Sequence, residues 1–487
     1  MTIASETPVP RPLASFPLTW LPRLTRLVPL VWLVALAGCS GPAGAPEPAS
    51  GPVELVGSAS GWNVLLLTVD TVRADRLGAY GYTERPTSPR IDALLASGVA
   101  FDRAVAPRAL TWPSLATVLT GLYPSGHGVV ENGYELPADL PTLPRVLQET
   151  GYTTAAFLSN MCHAGHRGWD AFACSGGRDG KTLREALAWA QGLDGERPFL
   201  LWVHYFAAHG PYYNGGDLAA TRFDPGYDGP IAPKKGALNR VMTEELELSE
   251  RDLRHLDALY DAAVAGTDHL VAELLKGLEE SGKLERTLIV FLADHGEELY
   301  QHNGYLYHAC SVYESTLHVP LGFTGLPGLE AGARVTQPVE LADVAPTIYE
   351  LLGIDGPAER HGRSLVPLLA RPGAGGPGKP AFSEYGNAPI FTVLHDGWKL
   401  VYNPEDIDPY CLPGAPEGHY PLEPVELYHL TEDPRETTDR AAEEPARVRR
   451  MQELIRQRFS GLSRRSGEQE LSEELEKQLE ALGYVAR

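Results

Sequence analysis

Three stretches of the chain, residues 62–69, 198–206 and 287–293, are almost uninterrupted runs of apolar and β-branched side chains. A strand with one wet face alternates apolar and polar positions. These do not, so each predicts a strand buried on both faces, as in a parallel sheet covered by helices. Between them, apolar residues recur at helical spacing over 90–97, 140–150 and 253–280. Strands alternating with helices predict an α/β fold, a three-layer α/β/α sandwich around a mostly parallel central sheet. The first and last runs end on the carboxylates Asp70 and Asp294, and the middle run stops just short of His209. Open sheets of this kind bind ligands at the carboxyl ends of their strands, which makes these side chains the first site candidates.

Beyond residue 353 the pattern shortens. A Gly- and Pro-rich stretch at 372–380 precedes short strand-like runs at 381–384, 392–395, 399–402 and 426–430. We therefore expect a catalytic domain over 62–353 and a small C-terminal α+β subdomain over 354–487. The subdomain closes with a helix at 468–482 that carries Leu471, Leu475, Leu479 and Leu482 on one stripe. At the other end, Arg23 and Arg26 precede an apolar run at 27–37. That run is shorter than the roughly 20 residues that span a bilayer, so 1–39 reads as a targeting segment. Residues 40–61 have the Gly, Pro and Ala content of a flexible linker.

Composition narrows the partners. The 487 residues carry a net charge of -22 and a pI near 5.1, which excludes a nucleic-acid partner, because a polyanion would be repelled. Cys162, Cys174, Cys310 and Cys411 have no zinc-site spacing. Cys162 and Cys174 either pair across one loop or are buried thiols.

The candidate chemistry starts from metal requirements. A divalent metal takes ligands brought together from separate strands, and ester hydrolysis needs a nucleophile beside it. Asp70, Thr111, Asp294 and His295 meet both needs. Thr111 precedes Trp112-Pro113, and a proline in a first turn followed by residues 114–119 marks a helix start. The hydroxyl then sits at the positive end of the helix, where free N–H groups stabilise an alkoxide and the anion it attacks. The same position also suits a threonine that simply caps the helix.

The run Arg108-Ala109-Leu110-Thr111-Trp112-Pro113-Ser114-Leu115, followed by Thr120-Gly121-Leu122-Tyr123-Pro124, resembles the active-site signature of the sulfatase family with its nucleophile exchanged. In that family the first signature position is a Cys or Ser oxidised to formylglycine. Oxidation of Thr111 would give a ketone instead of an aldehyde, and Leu115 replaces the signature arginine. Phosphodiesterases and phosphonate hydrolases of the wider alkaline phosphatase superfamily often carry an unmodified threonine here. The resemblance spans roughly 62–433. It implies Asp70, Thr111, Asp294 and His295 as metal ligands and Thr111 as the nucleophile. It also implies Asn132, 21 positions on, as a donor to a substrate oxygen, and His209 and His308 as acids for the leaving group.

The chain departs from the family in two further places. Thr71 follows Asp70 where sulfatases have a second aspartate, and no lysine appears near 151–154. One divalent ion, zinc or manganese rather than calcium, fits the remaining set. His204, His302 and His318 receive little weight. Leu36-Ala37-Gly38-Cys39 resembles the lipobox of bacterial lipoproteins, which implies that Cys39 is lipidated and becomes the first mature residue. The implied location is the cell envelope, anchored to a membrane, and the lack of Asp at position 40 points to the outer membrane rather than the inner.

The expected activity is that of a metal-dependent ester hydrolase that cleaves phosphate (di)esters or related esters through Thr111. Two rivals are a sulfuric ester hydrolase that uses threonine without formylglycine, and a non-catalytic binding protein on a degenerate sulfatase fold. A third, a phosphoalcohol transferase, belongs to relatives that commonly carry several membrane helices. The alcohol part of the substrate is not legible in the loops at 212–243.

Overall fold

Eight strands form the central sheet of the computed structural model, which describes residues 54–465 apart from 163, 164, 166, 214–217, 244, 303, 377, 387, 408, 410–420, 461, 463 and 464. In chain order they are β1 (Asn63–Val69), β2 (Val99–Phe101), β3 (Thr153–Leu158), β4 (Ala171–Cys174), β5 (Phe199–Tyr205), β6 (Thr287–Ala293), β7 (Leu321–Thr324) and β8 (Ala333–Val335). Across the sheet the order is β8-β2-β7-β6-β1-β5-β3-β4. The run β6-β1-β5-β3-β4 is parallel, and β7 is antiparallel to both of its neighbours. Every residue of β5 and β6 is buried, as is all of β1 after Asn63. Burial on both faces is the reason these strands read as unbroken apolar runs.

Register brings the chemistry-bearing ends level. Thr68 lies beside His204 on β5 and Leu292 on β6, and Val69 beside Tyr205 and Ala293. Asp70 and Asp294 therefore leave the sheet side by side.

Helices flank this sheet. α1 (Pro89–Ala96), α3 (Asp179–Gln191) and the long α4 (Glu250–Glu280) pack together, and α2 (Thr111–Thr120) packs on α5 (Val344–Leu352). Ser249 starts α4 with a capping box closed by Asp252. All of α2 is buried. Among the described residues no helix is long and apolar enough to cross a membrane.

The C-terminal subdomain is an antiparallel sheet of β9 (Ala381–Glu384), β10 (Phe391–His395), β11 (Trp398–Tyr402) and β12 (Val425–His429), paired in that order. Helix α6 (Pro445–Phe459) covers it, burying Met451 and Ile455 against Val393, Leu400 and Leu427.

One expectation changes here and one open alternative is decided. Residues 54–61 are part of the main body and not linker. Leu55 and Ala59 are buried, and the amides of Gly57 and Ala59 donate to the carbonyls of Glu350 and Leu351 at the end of α5. Composition missed this because Gly at 57 and 61 serves left-handed turns. Cys162 and Cys174 are joined as a disulfide, with Cα atoms 5.2 Å apart. Cys39, Cys411, the remaining linker and the 468–482 helix lie outside the described residues.

One buried histidine gives the fold a pH dependence. His127 accepts the Val129 amide at Nδ1 (3.1 Å), so Nε2 carries the proton toward Thr117 Oγ1 of α2 (3.0 Å). Burial pushes its pKa down to about 3 from 6.5. The unfolded chain therefore binds this proton first, and stability falls as pH drops below 6.5. His127 alone is expected to remove about 2 kcal/mol of stability between pH 8 and pH 5. Denaturant unfolding at the two pH values checks this, and His127→Gln should flatten the difference by that amount.

Candidate active site

The site grows out of the turn after β1. Thr71 takes a left-handed conformation (φ 57°), which is costly for a β-branched residue. Tyr260 from α4 holds the turn, donating to Thr71 O (2.7 Å) and accepting the Arg73 amide (2.9 Å). The turn also ties β1 to β6, because the Thr71 amide donates to Asp294 Oδ1 (3.2 Å), which takes the His295 amide as well (2.8 Å).

Both carboxylates keep one oxygen in reserve. Asp294 Oδ2 has no hydrogen-bond partner. Asp70 Oδ2 accepts Asn160 Nδ2 (2.6 Å), while its Oδ1 has none. His204 contacts Thr68 Oγ1 through Nδ1 (2.8 Å), and its unpartnered Nε2 lies 3.6 Å from Asp70 Oδ2. One ligand atom from each of Asp70, His204 and Asp294 falls within 4.8 Å of the others, and all three residues are fully buried. His295 Nε2 approaches from the other side, 3.8 Å from Asp70 Oδ1 and 3.7 Å from Asp294 Oδ2.

Electrostatics state the same demand. Burial, followed by the charge of Asp70, raises the Asp294 carboxyl well above its ordinary range. Burial opposes ionisation of Asp70 too, yet His204, His209 and His295 hold its carboxyl well below the ordinary range. Two buried carboxylates that converge with an imidazole, each with one oxygen unpartnered, are what a divalent cation satisfies. The donor set of two carboxylates, one or two imidazoles and a nearby hydroxyl therefore fits a metal.

Thr111 opens α2 as its first helical residue, and Leu110 in the capping position offers no side-chain bond. The alternative role of Thr111 as a helix cap is not seen. Instead Asn132 reaches across, and its Oδ1 accepts the Trp112 amide (2.9 Å). The Asn132 Nδ2 is buried without a partner. Thr111 Oγ1 lies 3.3 Å from His295 Nε2. His295 Nδ1 faces the Gly296 carbonyl (2.9 Å) and so carries the proton, which makes Nε2 the acceptor and the threonine hydroxyl the donor. Leu115 is buried in the core.

His209 and His308 join this group. Their rings are 5.1 Å apart, and His308 lies 4.4 Å from His295. Phe206 stacks on His209, whose Nδ1 donates to Gly210 O (2.6 Å). Glu297 spans the two loops, meeting His308 Nδ1 at Oε1 (3.0 Å) and accepting the Gly210 amide at Oε2 (3.3 Å). Burial lowers the pKa of both imidazoles, that of His308 to about 4.

All the candidates from Asp70 to His308 thus converge. His204 is the addition that low weighting missed. Its signal was faint: a histidine in a fully buried strand, one position before the strand ends and level with Thr68. His302 and His318 are structural, bonded to Glu298 and to the Asp102 carbonyl.

A family model described as Sulfatase matches residues 62–354. The chain belongs to the sulfatase family. It is similar to arylsulfatase K of Xenopus laevis, 26% identical over 430 residues covering 76% of this chain and 77% of that one. It is also similar to delta 4,5-hexuronate-2-O-sulfatase of Bacteroides thetaiotaomicron, 27% identical over 354 residues covering 63% and 71%. Among solved structures, phosphonate monoester hydrolase of Agrobacterium radiobacter superposes with a TM-score of 0.62 at 22% identity over 82% of this chain and 95% of that one. This sulfatase-family protein is accordingly a hydrolase of sulfuric or phosphoric esters. Its family generally binds a divalent metal.

Proposed function

We propose that this sulfatase-family chain hydrolyses a sulfate ester by direct attack of Thr111. The observation that carries the reading is the Thr111 hydroxyl, donated to His295 Nε2 at the rim of a buried Asp70, His204 and Asp294 cluster. Relatives named as sulfatases favour the sulfate ester. A second reading, a phosphate diester, is favoured by Thr111 itself, since an unmodified threonine suits phosphoryl transfer, and by a phosphonate hydrolase of the same fold.

Asp70, His204 and Asp294 would hold the ion, and their mixed nitrogen and oxygen donors suit zinc or manganese, while His295 Nε2 takes the Thr111 proton as the hydroxyl attacks. A bound divalent ion supplies Lewis acidity that favours the threonine alkoxide and neutralises the ester oxygens. Thr111 Oγ bonds to sulfur or phosphorus as the bond to the substrate alcohol breaks, and a water then releases the threonine ester. His308 pairs at Nδ1 with Glu297, whose carboxyl burial raises to about 8, so His308 gives a proton from Nε2 to the departing oxygen as it takes the Glu297 proton at Nδ1, while His209, its Nδ1 proton held by Gly210 O, presents a bare Nε2 beside it. Asn132 Nδ2 holds a non-bridging oxygen without adding charge. Leu36 to Cys39 support an envelope lipoprotein anchored through Cys39.

The test compares aryl sulfate, aryl phosphate diester, phosphate monoester and phosphonate monoester hydrolysis by the purified protein, before and after chelation. Dominant sulfate-ester turnover that chelation abolishes and zinc or manganese restores is the expected result. Dominant diester turnover would install the second reading, and no turnover of any ester by metal-loaded protein would favour a binding protein on the same fold.

A further inference from the structure

We propose that Arg108 is a positioning residue, which through Glu131 holds Asn132 against the first turn of α2 and so fixes the Asn132 amide beside Thr111. The inference rests on the reading of Asn132 as a donor to the substrate. Arg108 stands three residues before Thr111 and is 2% exposed. Its Nη2 donates to Glu131 Oε1 (2.5 Å), and its own carbonyl accepts the Ser114 hydroxyl (2.7 Å) from the first turn of α2. The arginine therefore grips the nucleophile helix and the Asn132 loop at once.

Three consecutive residues of that loop meet neighbours that fix its course. A Cβ on Gly386 would lie 3.0 Å from Val130 O and 3.2 Å from Arg108 Nη1, so the glycine permits a close approach there, in a left-handed conformation (φ 87°). Glu131 takes the guanidinium, and Asn132 takes the Trp112 amide. The guanidinium also lies 4.3 Å from the centre of the Tyr385 ring, and the Glu384 amide donates to Pro107 O (2.9 Å). The end of β9 thus backs the same arginine, and the C-terminal subdomain is coupled to the nucleophile through it.

Stability alone does not account for this placement. Arg108 Nε and Nη1 are buried without hydrogen-bond partners, a cost that an apolar side chain of similar length would not carry. Glu131, whose side chain is 32% exposed, can return to water when the arginine is removed. Arg108→Met should therefore unfold within a few degrees of the wild type while releasing the loop.

The experiment has two arms. Hydrogen exchange is read at the Trp112 amide and across residues 129–134 in wild type, Arg108→Met, Arg108→Lys and Glu131→Gln. The expected result is Trp112 exchange about tenfold faster in Arg108→Met and Glu131→Gln, the size of one weakened hydrogen bond, with partial recovery in Arg108→Lys. Unchanged Trp112 exchange in Arg108→Met, or faster exchange spread over the whole chain, would overturn the proposal. The second arm measures kcat and KM for the best ester in a cycle with Asn132→Ala. Arg108→Met should lower kcat with little change in KM and add little once Asn132 is gone. Additive losses would overturn it. The exchange arm needs no turnover, so a failure of the hydrolase reading leaves it decisive.

Discussion

Thr111→Ala is expected to lower kcat for the best ester by at least about a thousandfold while leaving the melting temperature within a few degrees of the wild type. At the head of α2 the Thr111 hydroxyl is offered to His295 Nε2 and does not cap the helix. The helix start is held from elsewhere, by Asn132 Oδ1 on the Trp112 amide and by Ser114 on the Arg108 carbonyl, so an alanine at N1 costs the fold little. Rates for several esters and a thermal melt of the same sample check both halves. Thr111→Ser is the useful companion, because it keeps the hydroxyl and should retain a large share of activity. Undiminished turnover in Thr111→Ala would transfer the nucleophile's role to a water and remove the covalent threonine ester from the mechanism.

Lys399→Met is expected to cost about 3–5 kcal/mol of stability. Lys399 sits on β11 with 1% exposure, its Nζ 2.8 Å from Glu436 Oε1 and 3.2 Å from Glu314 Oε1. Arg103 also reaches Glu314 (3.1 Å), and Glu436 accepts the Glu314 amide (2.6 Å), so the cluster joins the C-terminal sheet to the short helix Glu314–Leu317 of the main body. Removing the cation strands a buried carboxylate. Burial already pushes Glu436 up to about 7, and losing Lys399 moves it further the same way. A carboxyl raised in the folded state gains stability as pH falls through that value, so the deficit should be larger at pH 8 than at pH 6. Denaturant unfolding at both pH values tests this, and Glu436→Gln added to Lys399→Met should recover much of the loss. An equal deficit at the two pH values would mean that lost packing, and not the stranded charge, sets the cost.

Sequence by itself determined the fold class and picked out most of the candidate site. Strands buried on both faces leave runs that no helix or edge strand produces, so β1, β5 and β6 were legible to within one residue of their ends. Their carboxyl ends pointed to Asp70, Asp294 and His209, and the α2 start to Thr111, because strand ends and helix starts are local events. The sheet of the C-terminal subdomain was legible for the same reason, in four short runs.

Only the tertiary structure decided what register and packing set. His204 gained its place because β1 and β5 pair with Thr68 beside it, an alignment that no pattern within β5 records. The packing of residues 54–61 on α5 depends on two small apolar side chains meeting a helix end about 290 residues away. Arg108 and Glu131, 23 positions apart, became a clamp only when the fold placed one loop against the other, with Tyr385 behind them. Local sequence specifies which element forms. The partner of a buried polar group is specified by whichever distant group arrives to satisfy it, since burial without a partner costs more than almost any local preference supplies.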